Sequence, residues 1–363
     1  MGGKPMDYAS SGVDIDAEGR AVESLIGALG SSVRSPGQKG APVPLPGGFG
    51  GIVEFGDSRL ALATALVGSK LQLATQMGRL EGVGIDCIAM NVNDLICVGA
   101  EPLAFVDYIA VPKTDPHVHS VLGASLAEGC RLARVTLAGG ETATLPGIVT
   151  ELDLSGTALG WFPTGHAITG EGLESGDALI GLPSSGIHSN GFTLVRAVLE
   201  RSGAQLDEVP PFDSEHDGHL TLGEVLLTPT RIYVDPLVDL VLACRSGNGP
   251  CASADIKAMA HITGGGLSNL LRLHETLGWH IDDPLPVPPE FQWIAEVGSV
   301  ESREMHRTFN MGMGMVLAVS ESVAGPVSEW LAGRLQGTRR VGSVNNDGRR
   351  VTHADPSVVF EHY

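Results

Sequence analysis

The sequence predicts an α/β protein made of two related α/β domains, and three observations support this fold class. Strand-like apolar segments alternate with helix-like segments along most of the chain. Both halves place glycine-rich loops between a predicted strand and a predicted helix. With 363 residues, of which 43% are hydrophobic and 18% charged, the chain is long enough for two domains with cores of their own.

A glycine-rich stretch, Gly165–Gly176, marks the predicted domain boundary. The segment before the first glycine-rich loop is polar, with one predicted helix around Ala21–Leu29, and the last residues are expected to pack on the surface or to fray. The predicted parts are an N-terminal extension (1–46), an N-terminal domain (47–165), a C-terminal domain (166–346) and a tail (347–363).

In the N-terminal domain, apolar segments bounded by glycine or proline predict strands, and segments with a period of 3.6 residues predict helices. Gly139–Thr142 is predicted to be a loop shaped by glycine and proline. The predicted strands are Ile52–Phe55, Leu60–Thr64, Ala104–Val111, Val135–Ala138 and Leu152–Trp161, and the predicted helices lie within Gly84–Pro102 and at His119–Ala133.

The C-terminal domain shows the same alternation, interrupted by a polar, proline-containing excursion from Gln205 to His219. Its predicted strands are Ala178–Pro183, Ala258–Ile262 and Gly312–Val319, and its predicted helices are Phe192–Arg201, Ile232–Cys244 and Leu267–Leu273.

The helix within Gly84–Pro102 carries the most informative pattern, because its polar face contains no Lys, Glu or Arg. Clustered carboxylates and amides without a countercharge suit a hard cation and the phosphate that it carries. A polar face packed on a neighbouring element, with Asn91 and Asn93 bonded to backbone, is an equally supported alternative. The apolar face holds Ile85, Ile88, Ala89, Val92, Leu95, Ile96 and Gly99, and the polar face holds Asp86, Met90, Asn91, Asn93 and Asp94.

Composition excludes several classes of function. A formal net charge of −19 argues against binding to nucleic acid or to an anionic membrane. No apolar run approaches the ~20 residues that span a bilayer, and the N-terminus has no apolar signal core, so we expect a cytoplasmic location. Five scattered cysteines without a Cys-x-x-Cys pair argue against a disulfide framework and a zinc site.

Two loops of the C-terminal domain share one design, a histidine and glycines between a predicted strand and a predicted helix. They are Gly186–Gly191, with His188 and Asn190, and His261–Gly266, with three consecutive glycines. Backbone N–H groups at a helix N-terminus favour phosphate. Either loop alone is better explained as a tight turn with a structural histidine, whereas two of the same design favour anion binding.

The N-terminal domain offers further candidates of the same kind. Gly47–Gly51 is a third glycine-rich loop, and Lys70 follows the turn Val67-Gly68-Ser69, where its charge could meet a phosphate. Glu141 lies in the predicted loop and could complete a magnesium site with Asp94, since Mg²⁺ binds one or two carboxylates together with substrate phosphates.

These motifs, in this order, resemble the phosphoribosylformylglycinamidine cyclo-ligase family, also called aminoimidazole ribonucleotide synthetases, of the AIR synthase-related superfamily. The matching segments span nearly the whole chain, which makes the resemblance specific. They are Tyr8–Asp16, Gly47–Gly51, Gly84–Pro102, Gly139–Gly147, Ser184–Phe192, Leu227–Tyr233, His261–Gly266 and Met305–Gly314.

The resemblance implies an ATP-dependent ring closure in purine biosynthesis, in which ATP phosphorylates the formyl oxygen of formylglycinamidine ribonucleotide and an internal nitrogen then closes the imidazole. It also implies Mg²⁺ as cofactor and a homodimer in which N-terminal sheets pair. The implied catalytic residues are His188, His261 and Lys70, and the implied metal ligands are Asp94 and Glu141. The implied ATP- or phosphate-binding residues are Gly47, Gly48, Gly50, Gly68, Ser69, Lys70, Asn91, Thr142, Ser189, Asn190, Gly264, Gly265 and Gly266.

The chain departs from the family pattern at two adjacent positions. Where the family has Thr-Asp-Gly-Val-Gly-Thr-Lys, Ala65 replaces a carboxylate expected to bind the metal and Leu66 replaces a glycine. Loss of even an indirect metal partner reduces activity roughly 10–100-fold, and a bulky residue at position 66 conflicts with any positive φ there. Three explanations stay open: an impaired enzyme, a substitute carboxylate such as Asp86 or Glu141, or a binding or regulatory subunit.

Two alternative functions follow from the same residues. One is another phosphoryl-transfer activity of the superfamily, such as a small-molecule kinase, which would turn over ATP without the amidine. The other is a catalytically weak nucleotide-binding paralogue, which would bind nucleotide without hydrolysing it.

Overall fold

The computed structural model describes residues 6–8, 10–11, 20–22, 34–45, 48–213 and 220–363. They form two α/β domains, each built on its own sheet, which confirms the predicted fold class. Most of the predicted helix Ala21–Leu29 lies outside the described residues. Within the described part of the chain, no helix is both long enough and apolar enough to cross a membrane.

The N-terminal domain contains a six-stranded sheet, whose strands are β1 (Pro42–Val43), β2 (Gly51–Phe55), β3 (Ser58–Leu66), β4 (Glu101–Val111), β5 (Thr136–Thr144) and β6 (Asp153–Pro163). Their order is β1-β2-β3-β6-β4-β5, and β4 and β5 run parallel. The helices are α1 (Lys70–Met77), α2 (Val83–Cys97) and α3 (Pro116–Ala133). All five predicted strands and both predicted helices of this domain are present.

Alternating burial along the central strands shows that helices cover one face of this sheet. On β6, Leu154, Ala158 and Phe162 are fully buried, and every second residue, from Asp153 to Pro163, is partly exposed. Helix α2 packs on the buried face against β3 and β6. We call the opposite face the outer face; it carries Leu62, Leu66 and Val106, which are 41%, 55% and 43% exposed.

The predicted loop Gly139–Thr142 is instead the middle of strand β5, paired in parallel with β4. Gly140 lies opposite Asp107, and a Cβ atom at position 140 would come within 2.3 Å of the Asp107 carboxylate. A side chain at position 140 would therefore displace the Asp107 carboxylate across the strands, and no turn is present here. The sequence prediction of a loop was wrong because it read these glycines as turn residues.

The C-terminal domain contains a seven-stranded sheet, whose strands are β7 (Ala178–Pro183), β8 (Ile256–His261), β9 (Gly278–Ile281), β10 (Met313–Val319), β11 (Arg339–Asn345), β12 (Val351–His353) and β13 (Val359–Phe360). Their order is β13-β12-β9-β11-β7-β10-β8. The helices are α4 (Phe192–Ser202), α5 (Leu222–Leu226), α6 (Val234–Arg245), α7 (Pro289–Gly298), α8 (Ser302–Thr308) and α9 (Ala324–Ala332), with short 3-10 helices at Ser253–Asp255, Gly266–Arg272 and Glu321–Val323.

Several features of this chain differ from the sequence predictions. Lys70 begins helix α1, which the sequence analysis did not predict, and the predicted helix Leu267–Leu273 is a 3-10 helix. The predicted tail 347–363 contributes β12 and β13 to the sheet, with Val351 and Phe360 buried. Apolar residues of these last strands are too few to form a recognisable pattern in the sequence.

Helix α2 lies at the junction of the two domains, since it also contacts strand β8 of the C-terminal sheet. A second link is made by Arg245 at the end of α6. Its guanidinium donates to the carbonyl oxygens of Gly99 (2.7 Å) and His166 (2.8 Å). Polar contacts across this junction therefore set how the loops of the C-terminal domain face α2.

Candidate functional site

The polar face of α2 is buried beneath loops of the C-terminal domain. Asp86, Asn91 and Asn93 are fully buried, and Asp94 keeps a side-chain exposure of 23%. Asn91 donates to the Cys87 carbonyl (2.8 Å), and Asn93 donates to the Arg231 carbonyl (2.9 Å). Of the two interpretations of this face, the packed one therefore describes Asn91 and Asn93, and Asp94 alone of these four faces solvent.

Lys70 is enclosed at the start of α1, and its ammonium has no free donor. It donates to Asp86 Oδ1 (2.9 Å) and to the carbonyl oxygens of His188 (2.9 Å) and Thr228 (2.8 Å). These three bonds use all its N–H groups. Burial lowers the pKa of Lys70, and the Asp86 carboxylate opposes that shift. The lysine thus holds two C-terminal loops against the N-terminal domain.

Asp86 accepts all of its hydrogen bonds through one oxygen. Besides Lys70, Oδ1 accepts from the Thr230 N–H (2.7 Å), the Thr230 hydroxyl (2.6 Å) and the Ser189 hydroxyl (3.1 Å). The other oxygen is buried without a partner among the described residues. Since Asp86 is fully enclosed and paired with Lys70, it is not available to replace the missing carboxylate at position 65.

His188 occupies the loop between β7 and α4, with a left-handed φ of 66°. Its Nε2 accepts from the Ser185 N–H (3.2 Å), so the ring proton lies on Nδ1. Nδ1 is buried and has no partner in the described part of the chain. Burial, followed by the charges of His261, Lys70 and Arg231, lowers the pKa of His188 well below its usual range. His188 is therefore a neutral imidazole whose buried Nδ1–H has no acceptor among the described residues.

His261, at the end of β8, is bonded through both ring nitrogens. The Oδ1 atom of Asn93 accepts from the Tyr233 N–H (2.9 Å), so its Nδ2 atom is the donor to His261 Nε2 (3.3 Å). Nδ1 then donates to Asp94 Oδ1 (3.0 Å). Both ring nitrogens of His261 are thus bonded within the protein, and the bond from Nδ1 fixes the orientation of the Asp94 carboxylate.

The three glycines that follow His261, at positions 264 to 266, lie in different surroundings. At Gly266, where φ is 54°, a Cβ atom would come within 1.9 Å of the His306 carbonyl, so packing alone requires glycine. At Gly264 the nearest atom to such a Cβ is Asn190 Oδ1 at 3.4 Å. Gly264 and Asn190 therefore face each other, which joins the two predicted phosphate loops. Gly265 is left-handed, with φ 94°.

Other predicted phosphate-binding residues lie at the rim of this junction. The Ser69 hydroxyl lies 3.3 Å from that of Thr193, and Gly68 has a φ of 72°. The Gly48 carbonyl accepts from Arg272 (2.9 Å), and Gly50 lies against the carbonyl of Leu62. Gly47 lies outside the described residues.

Asp94 and Glu141 do not lie together within one chain. Strand register places Glu141 opposite Tyr108, and Tyr108 opposite Ser155 on the outer face, whereas α2 covers the other face. Among the described residues, no group of three or more His, Cys, Asp or Glu side chains is arranged to hold a metal ion. These donors do not fit a magnesium ion shared by Asp94 and Glu141 in a single chain. Thr142, the neighbour of Glu141, is exposed on the same edge strand.

Ala65 and Leu66 end strand β3 on opposite faces of the sheet. Ala65 pairs with Gly156, and its carbonyl accepts from Asn91 at 3.4 Å. The other amide atom of Asn91, Oδ1, is buried without a partner among the described residues. Leu66 is 55% exposed and is not among the residues with positive φ, so its bulk introduces neither a clash nor backbone strain.

The segment 228–233 completes the site, although its sequence, which resembles the family, predicts no particular role for it. Thr230 contacts Asp86 through both its N–H and its hydroxyl, and Tyr233 contacts Asn93 through its N–H. A signal was present in the sequence, because Thr-Pro-Thr-Arg places two hydroxyls and a cation in a short loop before a helix.

Comparison with known proteins identifies both domains. Models of the AIR synthase related protein match residues 47–162, as its N-terminal domain, and residues 174–354, as its C-terminal domain. Phosphoribosylformylglycinamidine cyclo-ligases of Methanococcoides burtonii and Methanosarcina acetivorans are each 42% identical over 351 residues, covering 97% of this chain and 98% of the relative.

A solved structure, AaThiL complexed with AMPPCP and TMP, has a similar fold. The TM-score is 0.63 at 16% identity, and the match covers 94% of this chain and 95% of that one. At this identity the likeness concerns the fold alone.

Proposed function

The chain belongs to the AIR synthase related family and is a ligase of the phosphoribosylformylglycinamidine cyclo-ligase type, and from this premise we propose how its site works. In the proposed reaction, ATP phosphorylates the formyl oxygen of formylglycinamidine ribonucleotide. An internal nitrogen then attacks the activated carbon, and phosphate leaves as the imidazole closes. The residues need to bind phosphates, align the two substrates and exclude water.

The observation that carries this proposal is the pairing of two phosphate-type loops over α2. The loop of His188 and the loop of Gly264 meet through Asn190, and the carboxylate of Asp94, 23% exposed, is bonded to His261 of the second loop. Neutral N–H donors and glycine backbone are suited to phosphate oxygens in a partly enclosed site. This arrangement supports binding of a phosphorylated substrate between the two domains.

Each polar residue then has a distinct role in the proposal. Lys70 is a positioning residue, because its three donors hold the loops of His188 and Thr228. His188 donates its free Nδ1–H to an oxygen that becomes negative during the reaction. His261 orients Asp94, which faces the substrate as a carboxylate.

Magnesium is implied only by the resemblance to the family. Because Asp94 and Glu141 lie on opposite sides of the N-terminal sheet, these two carboxylates of one chain would not hold the same ion. The homodimer expected from the resemblance would cover the outer face, on which Glu141 and the exposed apolar side chains lie.

Formation of aminoimidazole ribonucleotide tests the proposed function. The assay contains formylglycinamidine ribonucleotide, ATP and Mg²⁺, and compares this chain with the double variant Ala65→Asp/Leu66→Gly. We expect product from the chain as it stands, because the folded site is intact at Leu66. We expect the double variant to turn over roughly 10-fold faster or more. Its carboxylate at position 65, beside Asn91, would restore an oxygen ligand for the magnesium ion that the family implies.

Different outcomes separate the alternatives. ADP formation without the imidazole product in both proteins would favour another phosphoryl-transfer activity. Nucleotide binding without hydrolysis in both would favour a binding paralogue. Equal rates for the two proteins would show that position 65 no longer takes part in the chemistry.

A further inference from the structure

Arg231 is held in a fixed position above α2 by bonds on both sides of it. The preceding Thr230 bonds to Asp86 through its N–H (2.7 Å) and its hydroxyl (2.6 Å). The Arg231 carbonyl itself accepts from Asn93 Nδ2 (2.9 Å), and the Tyr233 N–H returns a bond to Asn93 Oδ1 (2.9 Å). The backbone at Arg231 is therefore anchored to two buried side chains of one helix.

The guanidinium of Arg231 makes no hydrogen bond or ion pair with any residue of the described ranges. Its Nε atom is buried, and its terminal nitrogens reach solvent. A partly buried cation without a partner is unfavourable, and arginines in such positions ordinarily bind a carboxylate or a phosphate. Arg245 shares a buried, unpartnered Nε atom with Arg231, but its Nη2 atom donates to two carbonyl oxygens within the described residues.

A second unsatisfied donor lies near Arg231. His188, which is 1% exposed, has its Nδ1–H without an acceptor, and its ring centroid lies 6.4 Å from that of Tyr233, two residues after Arg231. The other basic groups around the site are already engaged, since Lys70 uses three N–H groups and His261 both nitrogens. Arg231 is thus the free positive charge of this junction among the described residues.

We propose that Arg231 is the phosphate-binding cation of the site, pairing its guanidinium with a phosphate group while His188 donates beside it. The inference rests on the proposed function, in which both substrates carry phosphate: ATP, and the ribonucleotide through its 5′-phosphate. A guanidinium fits two phosphate oxygens at once. In a chain with a net charge of −19, a fixed local cation is needed to attract such a substrate.

Equilibrium binding of paired ligands tests the inference without requiring turnover. The probes are AMPPCP against adenosine, and formylglycinamidine ribonucleotide against its dephosphorylated riboside. Arg231→Met removes the charge, Arg231→Lys keeps it without the forked geometry, and Arg131→Met makes the same change at an exposed ion pair on α3.

We expect Arg231→Met to raise the Kd of one phosphorylated ligand roughly 10- to 100-fold and to leave its dephosphorylated partner within twofold. The ligand that loses affinity identifies which substrate phosphate Arg231 holds. Arg231→Lys should lie between wild type and Arg231→Met, and Arg131→Met should match wild type. Unfolding temperatures of all variants report whether the fold is kept.

Equal losses for phosphorylated and dephosphorylated ligands would make Arg231 a structural residue and overturn the inference. Unchanged affinities, or a wild-type protein that binds neither phosphorylated ligand, would overturn it as well. The proposed ring closure fails separately, if wild-type protein binds both ligands and forms no imidazole product.

Discussion

One oxygen of Asp86 accepts from a lysine, a backbone N–H and two hydroxyls, and these four donors belong to three residues, 70, 189 and 230, that are far apart in the chain. Removing one member of a buried charge pair strands the other, which is more destabilising than losing an exposed pair. We therefore expect the residues of this group to contribute mainly to stability and to the position of the loops.

Lys70→Met should lower the free energy of unfolding by about 3–5 kcal/mol, because the Asp86 carboxylate stays buried without its countercharge. Urea unfolding of the purified protein measures this. Adding Asp86→Asn to the same chain should recover part of the loss by removing the stranded charge. The exposed Lys113→Met is the matched control and should change the value by less than about 0.5 kcal/mol. A loss no larger than that of the control would contradict the structural role.

At the residue scale, the sequence singled out several side chains that lie close together in the structure, and their roles stay predictions. Asp94, His188, Asn190 and His261 do converge at the domain junction. Lys70 was predicted to meet phosphate, and its three acceptors were not foreseeable, since two of them are carbonyl oxygens more than a hundred residues away. Arg231 was passed over because an unpaired cation is recognised only when its surroundings are known.

Among the elements, the loop from β8 to the following 3-10 helix contains one glycine that packing requires and one that faces the proposed binding site. Gly266 is pressed against the backbone of α8, and Gly264 faces Asn190 across the gap between the two phosphate-type loops. Two glycines of one motif, at positions 264 and 266, thus differ in what a side chain there would contact.

Gly266→Ala should destabilise the protein by about 2–4 kcal/mol, since it combines a positive φ with a clash against the His306 carbonyl. Gly264→Ala should change stability by less than about 1 kcal/mol and weaken binding of AMPPCP instead. Chemical unfolding and ligand titration of the two variants distinguish these effects. Equal destabilisation by both would show that the whole triplet serves packing.

Elements with a strong period were predicted well, and elements whose pattern depends on neighbours were not. The prediction of helix α2 is confirmed. It succeeded because the apolar residues of this helix repeat every three to four positions. The middle of strand β5 was wrongly predicted to be a loop, because Gly140 packs against Asp107 on the adjacent strand and does not form a turn. Short strands such as β12 carry too few apolar residues for any period to be visible.

At the scale of the whole molecule, several exposed apolar side chains of the described residues lie together on the outer face of the N-terminal sheet. Leu62 and Leu66 lie on this face in β3, and Val106 lies on it in β4. Both strands pair with β6. Exposed apolar side chains grouped on one sheet are characteristic of a protein interface. This supports the proposed homodimer, in which two such faces would pack together.

Sedimentation velocity should show a dimer for the wild-type protein and a monomer for Leu62→Lys/Val106→Lys, because two charges on each copy would be buried in the interface. Ile148→Lys is the matched control, since Ile148 is 77% exposed in a loop outside this face. A wild-type monomer at micromolar concentration, or a dimer that survives the double substitution, would refute this interface.

The dependence of α2 on the C-terminal loops also constrains how the protein is made. Ribosomes complete the N-terminal sheet and α2 well before residues 189, 230, 233 and 261, whose atoms satisfy Asp86, Asn93 and Asp94. The nascent N-terminal half therefore presents a helix with unmet polar groups to water. We expect it to settle into its final structure only after the second half has emerged, which makes the two domains one unit of biogenesis.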